Sequence, residues 1–541
     1  MWVNAPRVTY RQAPMTTHQP QPPPAEPAPG PAGARSRGGR AGRRGGEGLV
    51  SRRTVLAAAA AGGGGVAAAR LLGLHRVAPG DLERSQAAPV LSRSGLDWVS
   101  PLGAKGERAR AEEARIAHLL RRTTFGASAA ELDRAVADGF ERTVERQIDT
   151  PAVPPPPLPG AETATNSNAL PIDKLQLWWL DHMLASPTPF AEKMTLFWHG
   201  HFTSEYRKVG LGSPFMYWQN LTWRTMALGD LRSMLMQVTT DPAMLRYLDL
   251  SQSTGGAPNE NYARELMELF TMGPEAYGED DVRAAAKALA GWREPRTPEM
   301  VDDQVAQQVK STGKAPVPRP QPDTVKTGIF EKGRAFTGGG TLFLGGVKAW
   351  DTGSLIDRIL EKDETAPFLA RKALSAFVSP APADATVRRL ADAFRKTGYN
   401  VRELMRSVLL APEFSAPQAY RALVKGPTEF MLHAVKALQA PTLTRLVQQS
   451  GFGMGQSLFD PPSVGGWGDH EFWVTSNDLL ARANFVTAAL GQVRKLPPSD
   501  DAHHLFLDAV LSPGTLDALN AAHDEKARWT LVLASPEFQL K

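Results

Sequence analysis

The residues best placed to do chemistry lie on one face of a short segment, residues 258–273. At about 3.6 residues per helical turn, the carboxylate, amide and guanidinium side chains of this segment share one side of the helix. They are Glu260, Asn261, Arg264, Glu265 and Glu268. Carboxylates concentrated in this way can bind a divalent cation or transfer protons as general acid and base. On this interpretation Glu260, Arg264, Glu265 and Glu268 are the candidate catalytic residues.

The same polar face has a second interpretation, as the solvated side of an ordinary amphipathic helix. Glu260 and Glu268 each stand four positions from Arg264, the spacing at which opposite charges pair along a helix. Each such pair stabilises a helix by about 0.2–0.5 kcal/mol. The spacing is the same for a solvated face and for a buried site, so both interpretations stay open at this stage.

Two histidines, His199 and His201, flank a glycine at the end of an aromatic segment. On a regular helix, residues two apart point about 200° away from each other, but Gly200 can relax the turn so that both imidazoles face one ion. With a carboxylate from Glu260, Glu265 or Glu268 they would form a mixed nitrogen and oxygen site suited to zinc, iron or manganese, and Glu265 is the one chosen as candidate ligand. His199, His201 and Glu265 are thus the candidate metal ligands. The alternative is a pair of histidines that hydrogen-bond backbone groups at a helix end.

The elements that must position these groups are helices. Opposite the polar face, residues 258–273 present an apolar face made of Tyr262, Ala263, Leu266, Met267, Leu269 and Phe270. Asn259 can cap the first turn, and Gly273 can end the helix. Residues 279–289 follow with acids in the first turn and apolar residues at helical spacing. The two segments together predict a helical hairpin.

Helical periodicity along most of the chain predicts a mainly α fold, with residues 111–541 as a single large multi-helical domain. Residues 294–350 form an irregular insertion in this pattern. Six prolines between Pro295 and Pro322 are predicted to rule out regular helix there. Residues 336–346, in which three glycines precede Thr341, predict a short β-hairpin.

The formal net charge of +5 comes from the N-terminal part of the chain. Residues 1–70 hold ten arginines, no lysine and two acids, which gives +8 and leaves −3 for the remaining residues. We therefore expect no nucleic-acid partner, since such proteins concentrate basic residues on one surface. The chain has no cysteine, which excludes disulfides and thiolate metal sites.

The N-terminal residues have the composition of an export signal. Residues 1–50, rich in Pro, Gly and Arg, are predicted to be disordered, and residues 71–110 to be a linker. Arg52 and Arg53 precede an Ala- and Gly-rich stretch that ends at residue 70, which predicts a twin-arginine signal and passage through the twin-arginine export machinery. The alternative is a basic tail beside an Ala-rich helix. No later segment of about twenty apolar residues occurs, so we expect an extracellular, cell-surface or periplasmic protein without a stable membrane span.

Several stretches resemble the bacterial family called domain of unknown function 1800 (DUF1800). They are NENYARELMELFTMG at 259–273 with residues 277–292, HLLRR at 118–122 with residues 125–126, KMTLFWHGHF at 193–202, DPAML at 241–245 and FDPPSVGGW at 459–467. The resemblance runs from about residue 114 to the last residue and implies kinship without a settled activity. It also implies a partner from the companion family, domain of unknown function 1501, and a His-Asp segment aligned with residues 334–346. This chain has neither residue there, which would alter or inactivate a site that used that pair.

Two functions follow as expectations. The first is an exported, metal-dependent, hydrolase-like enzyme that uses a polar His/Glu pocket. The second is a non-catalytic envelope or cell-surface binding module that works with a partner protein. The first predicts that the histidines and the carboxylates converge on one site, whereas the second predicts a solvated acidic face and dispersed histidines.

Overall fold

The apolar periodicity of the sequence is realised as helices, and the prediction of a mainly α fold is confirmed. The computed structural model describes residues 107–541 except 211, 501 and 509. In chain order the α-helices are α1 Glu107–Thr123, α2 Ala129–Asp138, α3 Phe140–Asp149, α4 Ile172–Ala185, α5 Pro189–His201, α6 Tyr206–Val209, α7 Phe215–Met226, α8 Leu231–Thr240, α9 Pro242–Tyr247, α10 Asn261–Met267, α11 Glu279–Leu289, α12 Pro298–Thr312, α13 Thr352–Leu360, α14 Thr365–Phe377, α15 Asp384–Lys396, α16 Val401–Leu409, α17 Pro427–Ala437, α18 Thr444–Gly453, α19 Ser476–Gln492, α20 Ala502–Leu507, α21 Pro513–Asn520, α22 Glu525–Ala534 and α23 Pro536–Gln539.

Helix α1 begins at Glu107, slightly before the predicted start of the domain at residue 111. The predicted disordered segment (1–50), the export signal (51–70) and the linker up to residue 106 lie outside the described residues. Within the described part of the chain, no helix combines the length and the apolar character needed to cross a bilayer.

The insertion at residues 294–350 has more regular structure than its prolines predict. Helix α12 lies within it, so the prediction that prolines rule out regular helix is wrong at this point. The reason is position: Pro298 occupies the first turn, where its missing N–H has no partner to lose. Thr297 caps the helix by accepting a hydrogen bond from the backbone N–H of Met300. The insertion and its flank also hold two antiparallel two-stranded sheets, β1 Trp292–Arg293 with β2 Ile329–Phe330 and β3 Thr341–Phe343 with β4 Gly346–Lys348.

The second of these sheets is the predicted β-hairpin. Leu344 and Gly345 form its two-residue turn with φ angles of 46° and 81°, the left-handed conformation that matches the twist of short hairpins. The carboxylate of Asp281 accepts from the Leu344 N–H at 2.7 Å, and the Arg358 Nε donates to the Leu344 carbonyl at 3.1 Å. The turn is therefore held by side chains from both α11 and α13.

The predicted helical hairpin is also confirmed, since α10 packs against α11. Helix α10 continues into a π-helical turn, Glu268–Met272, and ends at Gly273, whose φ is 89°. The hydroxyl of Thr271 donates to the Leu266 carbonyl at 2.5 Å. The N-cap is Glu260, which makes no side-chain cap hydrogen bond, and Asn259, one residue before it, accepts from the N–H of Asn261 at 2.9 Å.

Helix α5 lies at the centre of the fold and packs against α1, α3, α4 and α7. A helix that is surrounded on all sides buries polar as well as apolar residues. Glu192 and Lys193 are therefore buried along with Phe190, Met194 and Trp198. Each buried charge needs a partner of opposite charge, because an unpaired charge in a protein interior is strongly unfavourable.

Glu192 finds its partners on the neighbouring helices. It accepts from Trp179 Nε1 at 2.9 Å and from Arg224 Nη2 at 3.0 Å, and His182 Nε2 lies 3.3 Å from it. Burial alone would raise the pKa of Glu192, but the hydrogen bonds from His182 and Arg224 outweigh it and the pKa is lowered. This carboxylate therefore joins α4, α5 and α7.

Asp241, the N-cap of α9, is a buried carboxyl of a different kind. It accepts hydrogen bonds from the Met244 N–H at 2.9 Å and from Gln219 Nε2 at 2.7 Å. No ion pair to a basic side chain is found for it within the described residues. Burial raises its pKa to about 7, against the lowering effect of those hydrogen bonds.

We expect Asp241→Asn to stabilise the protein more at pH 8 than at pH 5. The pKa of Asp is about 3.9 in an unfolded chain, and burial raises it to about 7 in the folded protein. The folded state binds the proton more tightly, so wild-type stability falls as the pH rises from about 4 to about 7. Asparagine keeps the capping oxygen and does not titrate, so the gain should reach about 2–4 kcal/mol at pH 8.

Thermal unfolding of both proteins across this pH range measures the difference. Asp230→Asn, at the exposed N-cap of α8, is the matched control for changing a capping Asp to Asn. Parallel stability profiles for wild type and Asp241→Asn would contradict the prediction.

Candidate functional site

The polar face of α10, which carries the four candidate catalytic residues, is half-exposed. Arg264 donates to both carboxylate oxygens of Glu279 at 2.7 and 2.8 Å, and Glu260 lies 3.8 Å from the same guanidinium. The hydroxyl of Tyr277 donates to Glu268 at 2.5 Å. These contacts form a surface network within the helical hairpin, in which Arg264 pairs mainly with Glu279 of the second helix.

Glu265 is half-buried on the same face. Its partial burial raises its pKa, and the nearby negative charge of Glu268 adds to this effect. Its electrostatic neighbours are thus on its own helix, whereas the histidines proposed to share a metal with it lie on α5.

The two histidines point in different directions, because α5 stays helical through His201. His199 Nε2 accepts from the Phe459 N–H at 3.0 Å, which places the ring proton on Nδ1. His201 Nε2 lies 3.0 Å from the carbonyl oxygen of Phe270, to which it donates. His201 Nδ1 is buried and has no hydrogen-bond partner among the described residues.

The predicted metal-ligand set is therefore not brought together. Within the described residues, no three His, Asp or Glu side chains lie close enough to hold a metal ion, and this includes His199, His201 and Glu265. Gly200 does not relax the helix, so the imidazoles keep the offset of about 200° expected for helical residues two apart. Burial lowers the pKa of His199 to about 3 and also lowers the pKa of His201, so both rings are neutral.

His201 does line a cavity, of about 420 Å³, that the candidate residues did not predict. Five parts of the chain line it: α5, α14, the start of α17, the loop before α19 and Lys541. Its lining residues are Lys193, Leu196, Phe197, Gly200, His201, Phe368, Arg371, Lys372, Ser375, Ala376, Phe377, Val424, Gly426, Glu429, Gln456, Gly465, Trp467, Gly468, Asp469, His470, Trp473 and Lys541. The cavity thus combines aromatic rings with charged groups.

A buried ion cluster of Lys193, Glu429 and Lys541 forms part of the cavity lining. Lys193 Nζ pairs with Glu429, and Lys541 Nζ contacts both oxygens of the same carboxylate at 2.6 and 2.7 Å. Their side chains are only 5% to 10% exposed. Lys193 also donates to the Thr124 carbonyl at 3.2 Å, and Glu429 accepts from the Gly426 N–H at 2.8 Å.

Burial and charge pairing set the ionisation of this ion cluster. Burial alone would raise the pKa of Glu429, but Lys193 and Lys541 outweigh it and the pKa falls well below the usual range. Burial lowers the pKa of Lys193 to about 8, although Glu429 acts in the opposite direction. The Glu429 carboxylate is therefore ionised. The Lys193 ammonium loses its proton more easily than the ammonium of an ordinary lysine.

The opposite wall is a loop, residues 459–473, that is fixed to the end of α5. Beside the Phe459–His199 hydrogen bond, Thr203 Oγ1 donates to the Val464 carbonyl at 2.5 Å. Gly466 has a φ of 84°, and a Cβ placed on it would lie 2.4 Å from the carbonyl oxygen of Gly200. Only glycine permits this close approach of the loop to the helix.

Several polar atoms of the cavity lining have no hydrogen-bond partner within the described residues. They are Trp467 Nε1, both ring nitrogens of His470 and His201 Nδ1. Buried polar atoms in folded proteins are normally paired with protein, water or ligand. Three lining residues of the cavity thus hold buried polar atoms for which the described residues supply no partner.

The family model described as "Protein of unknown function (DUF1800)" matches residues 118–540 of this chain. This range includes every cavity residue named above except Lys541. No curated protein and no solved structure was found to match the chain.

We expect Gly466→Ala to destabilise the protein by about 2 kcal/mol or more, because the new methyl group meets the Gly200 carbonyl at a position with positive φ. The control is Gly491→Ala in α19, where a Cβ meets no atom within 4 Å. That change should be neutral or stabilising, by up to about 1 kcal/mol. Urea denaturation measures both, and equal unfolding free energies for the two variants would contradict the prediction.

Proposed function

We propose, from the premise that this chain belongs to the DUF1800 family, that it is an exported protein that binds a small organic molecule. The binding site is the cavity between α5, α14, α17 and the 459–473 loop. This proposal develops the binding-module expectation from the sequence, with a small molecule as the ligand.

One observation carries the proposal, namely a cavity that joins aromatic walls to charged side chains. Its volume of about 420 Å³ falls within the range of about 300–1,000 Å³ typical of ligand sites. Phe197, Phe368, Trp467 and Trp473 contribute rings to its walls. Rings of this kind bury the apolar part of a ligand, while a few fixed polar groups orient it.

The geometry favours binding over the predicted hydrolysis. The hydrolase hypothesis requires Glu265, His199 and His201 to surround one metal ion. In the structure the two imidazoles instead form hydrogen bonds with backbone groups of Phe459 and Phe270. The candidate catalytic carboxylates Glu260 and Glu268 are engaged with Arg264 and Tyr277 at the surface. In the cavity, Glu429 is held between two ammonium groups, an arrangement that suits a fixed charge better than a proton carrier.

We expect Trp467→Ala to weaken binding of flat aromatic probes by about tenfold, because removal of a stacking wall costs about 1–2 kcal/mol. Calorimetric titration with naphthoate and with neutral naphthamide tests this, with one site per chain expected for at least one probe. Trp350→Ala, a half-buried tryptophan beside β4 and outside the cavity lining, should leave binding unchanged. If neither probe binds to the wild-type protein at millimolar concentration, the binding proposal is wrong.

Export is proposed on the sequence alone, from Arg52 and Arg53 ahead of the Ala- and Gly-rich stretch. The twin-arginine route suits a protein whose buried charges must be paired in the folded state before translocation. After export, a protein of the domain of unknown function 1501 family is the proposed partner, as the family kinship implies.

We expect the double variant Arg52→Lys, Arg53→Lys to stay mainly in the cytoplasm, because the paired guanidinium groups define the signal. Fractionation of the expressing cells measures the distribution. The same double change at Arg43 and Arg44, a second arginine pair outside the predicted signal, is the matched control. Normal export of the first variant, or equal retention of both, would remove the twin-arginine proposal.

A further inference from the structure

The side chains of the ion cluster carry more positive than negative charge. Two ammonium groups, Lys193 and Lys541, share the single carboxylate of Glu429. An ammonium has three N–H donors. Lys193 uses two acceptors, Glu429 and the Thr124 carbonyl, and Lys541 contacts the two oxygens of Glu429. Each lysine therefore keeps one donor for a further acceptor.

Three more buried cations lie close to this cluster. Lys425 donates to the Phe538 carbonyl at 2.6 Å, Arg482 to the Lys425 carbonyl at 2.7 Å, and Arg122 to the Ala419 carbonyl at 2.5 Å. Backbone carbonyl groups satisfy some of their donors but do not balance their charge. No described carboxylate forms an ion pair with any of the three cations.

These three cations depend on the same acid as the cluster. The negative charge of Glu429 acts on the pKa of Arg122, Lys425 and Arg482, and for Arg482 that of Asp478 acts as well. Burial is nevertheless the largest influence and lowers all three pKa values. Arg122 Nε and Nη1 and Arg482 Nε also have no hydrogen-bond partner within the described residues.

The rest of the cavity lining does not cancel this excess. Arg371 is paired with Asp384 at 2.7 Å. Lys372 has Asp469 as its nearest attracting charge, and burial lowers the pKa of this lysine. Burial also lowers the pKa of His201 and of His470, so neither ring adds a fixed charge.

From this charge distribution we infer that the ligand of the cavity carries an oxyanion, a carboxylate or a phosphate group, bound by Lys193 and Lys541. The inference rests on the proposed function and names the class of its ligand. An oxyanion accepts the remaining lysine donors and offsets the surplus positive charge in a region where charges interact more strongly than in water. A metal cation is repelled at this place, and a neutral molecule leaves the surplus charge unbalanced.

The test compares probes of one shape and different charge: naphthoate, naphthyl phosphate and neutral naphthamide. Calorimetric titration of the full-length wild-type protein should show that naphthoate or naphthyl phosphate binds at least about tenfold more tightly than naphthamide. The stronger of the two anions identifies the headgroup. Equal affinity for all three probes would overturn the oxyanion inference and leave the binding proposal standing, whereas no binding of any probe would remove both.

Variants of the ion cluster supply the second arm. Lys193→Met should weaken anion binding by about tenfold and leave naphthamide binding unchanged, and the latter result also shows that the variant is folded. Lys193→Arg, which keeps the charge, should restore most of the anion affinity, and Lys396→Met, on the exposed face of α15, should have no effect. Glu429→Gln should bind the anions more tightly than wild type. Anion affinity that is indifferent to both Lys193→Met and Glu429→Gln would show that the anion binds elsewhere.

Discussion

The buried carboxylate of Glu429 is the interaction on which the arrangement of the cavity depends. It pairs with Lys193 of α5 and with Lys541, the last residue of the chain, so one acid holds together three distant parts of the sequence. Removing the Glu429 charge would leave both ammonium groups unpaired in the protein interior, which costs several kcal/mol. Helices α5 and α17 and the C-terminal residues are therefore fixed relative to one another, and so are the cavity walls that they carry.

Most polar side chains of helix α5 are paired with groups on neighbouring segments. Glu192 is bound by Trp179 and Arg224, Lys193 pairs with Glu429, and each histidine at the end has one ring nitrogen bonded to a backbone group. All of these partners lie on other segments. These pairings fix the orientation of the helix about its axis. The side that bears Lys193, Phe197 and His201 faces the cavity.

The sequence predicts the local features of this protein better than its site. Helix periodicity, the hairpin of α10 and α11 and the short β-hairpin of β3 and β4 depend on residues close together in the chain, and these predictions are confirmed. The prediction that Pro298 rules out a helix is wrong because a proline is compatible with the first helical turn. The local signal for this position is Thr297, which directly precedes Pro298 and caps the helix.

The site depends on pairings between distant segments. The acidic face of α10 has the same residue spacing whether it meets solvent or a ligand. Its pairing depends on the second helix of the hairpin, which brings Glu279 against Arg264. Lys193 is the first residue of the KMTLFWHGHF stretch, which also holds His199 and His201. No residue near it in the chain indicates that Glu429 is its partner or that Lys541 shares this partner. A lysine directly before an apolar run inside a buried helix is the one local signal, since such a charge requires a partner.

The charges around the cavity are poorly explained by stability alone. A buried ion pair is expensive to desolvate, and replacing it with well-packed apolar residues is often neutral or stabilising. Glu192 and Arg224 at least balance each other, whereas the ion cluster and the neighbouring Arg122, Lys425 and Arg482 leave positive charge without an acid. A core built only for stability would not place two ammonium groups around one carboxylate at the edge of a cavity. A ligand that supplies the missing negative charge accounts for the two ammonium groups that share Glu429.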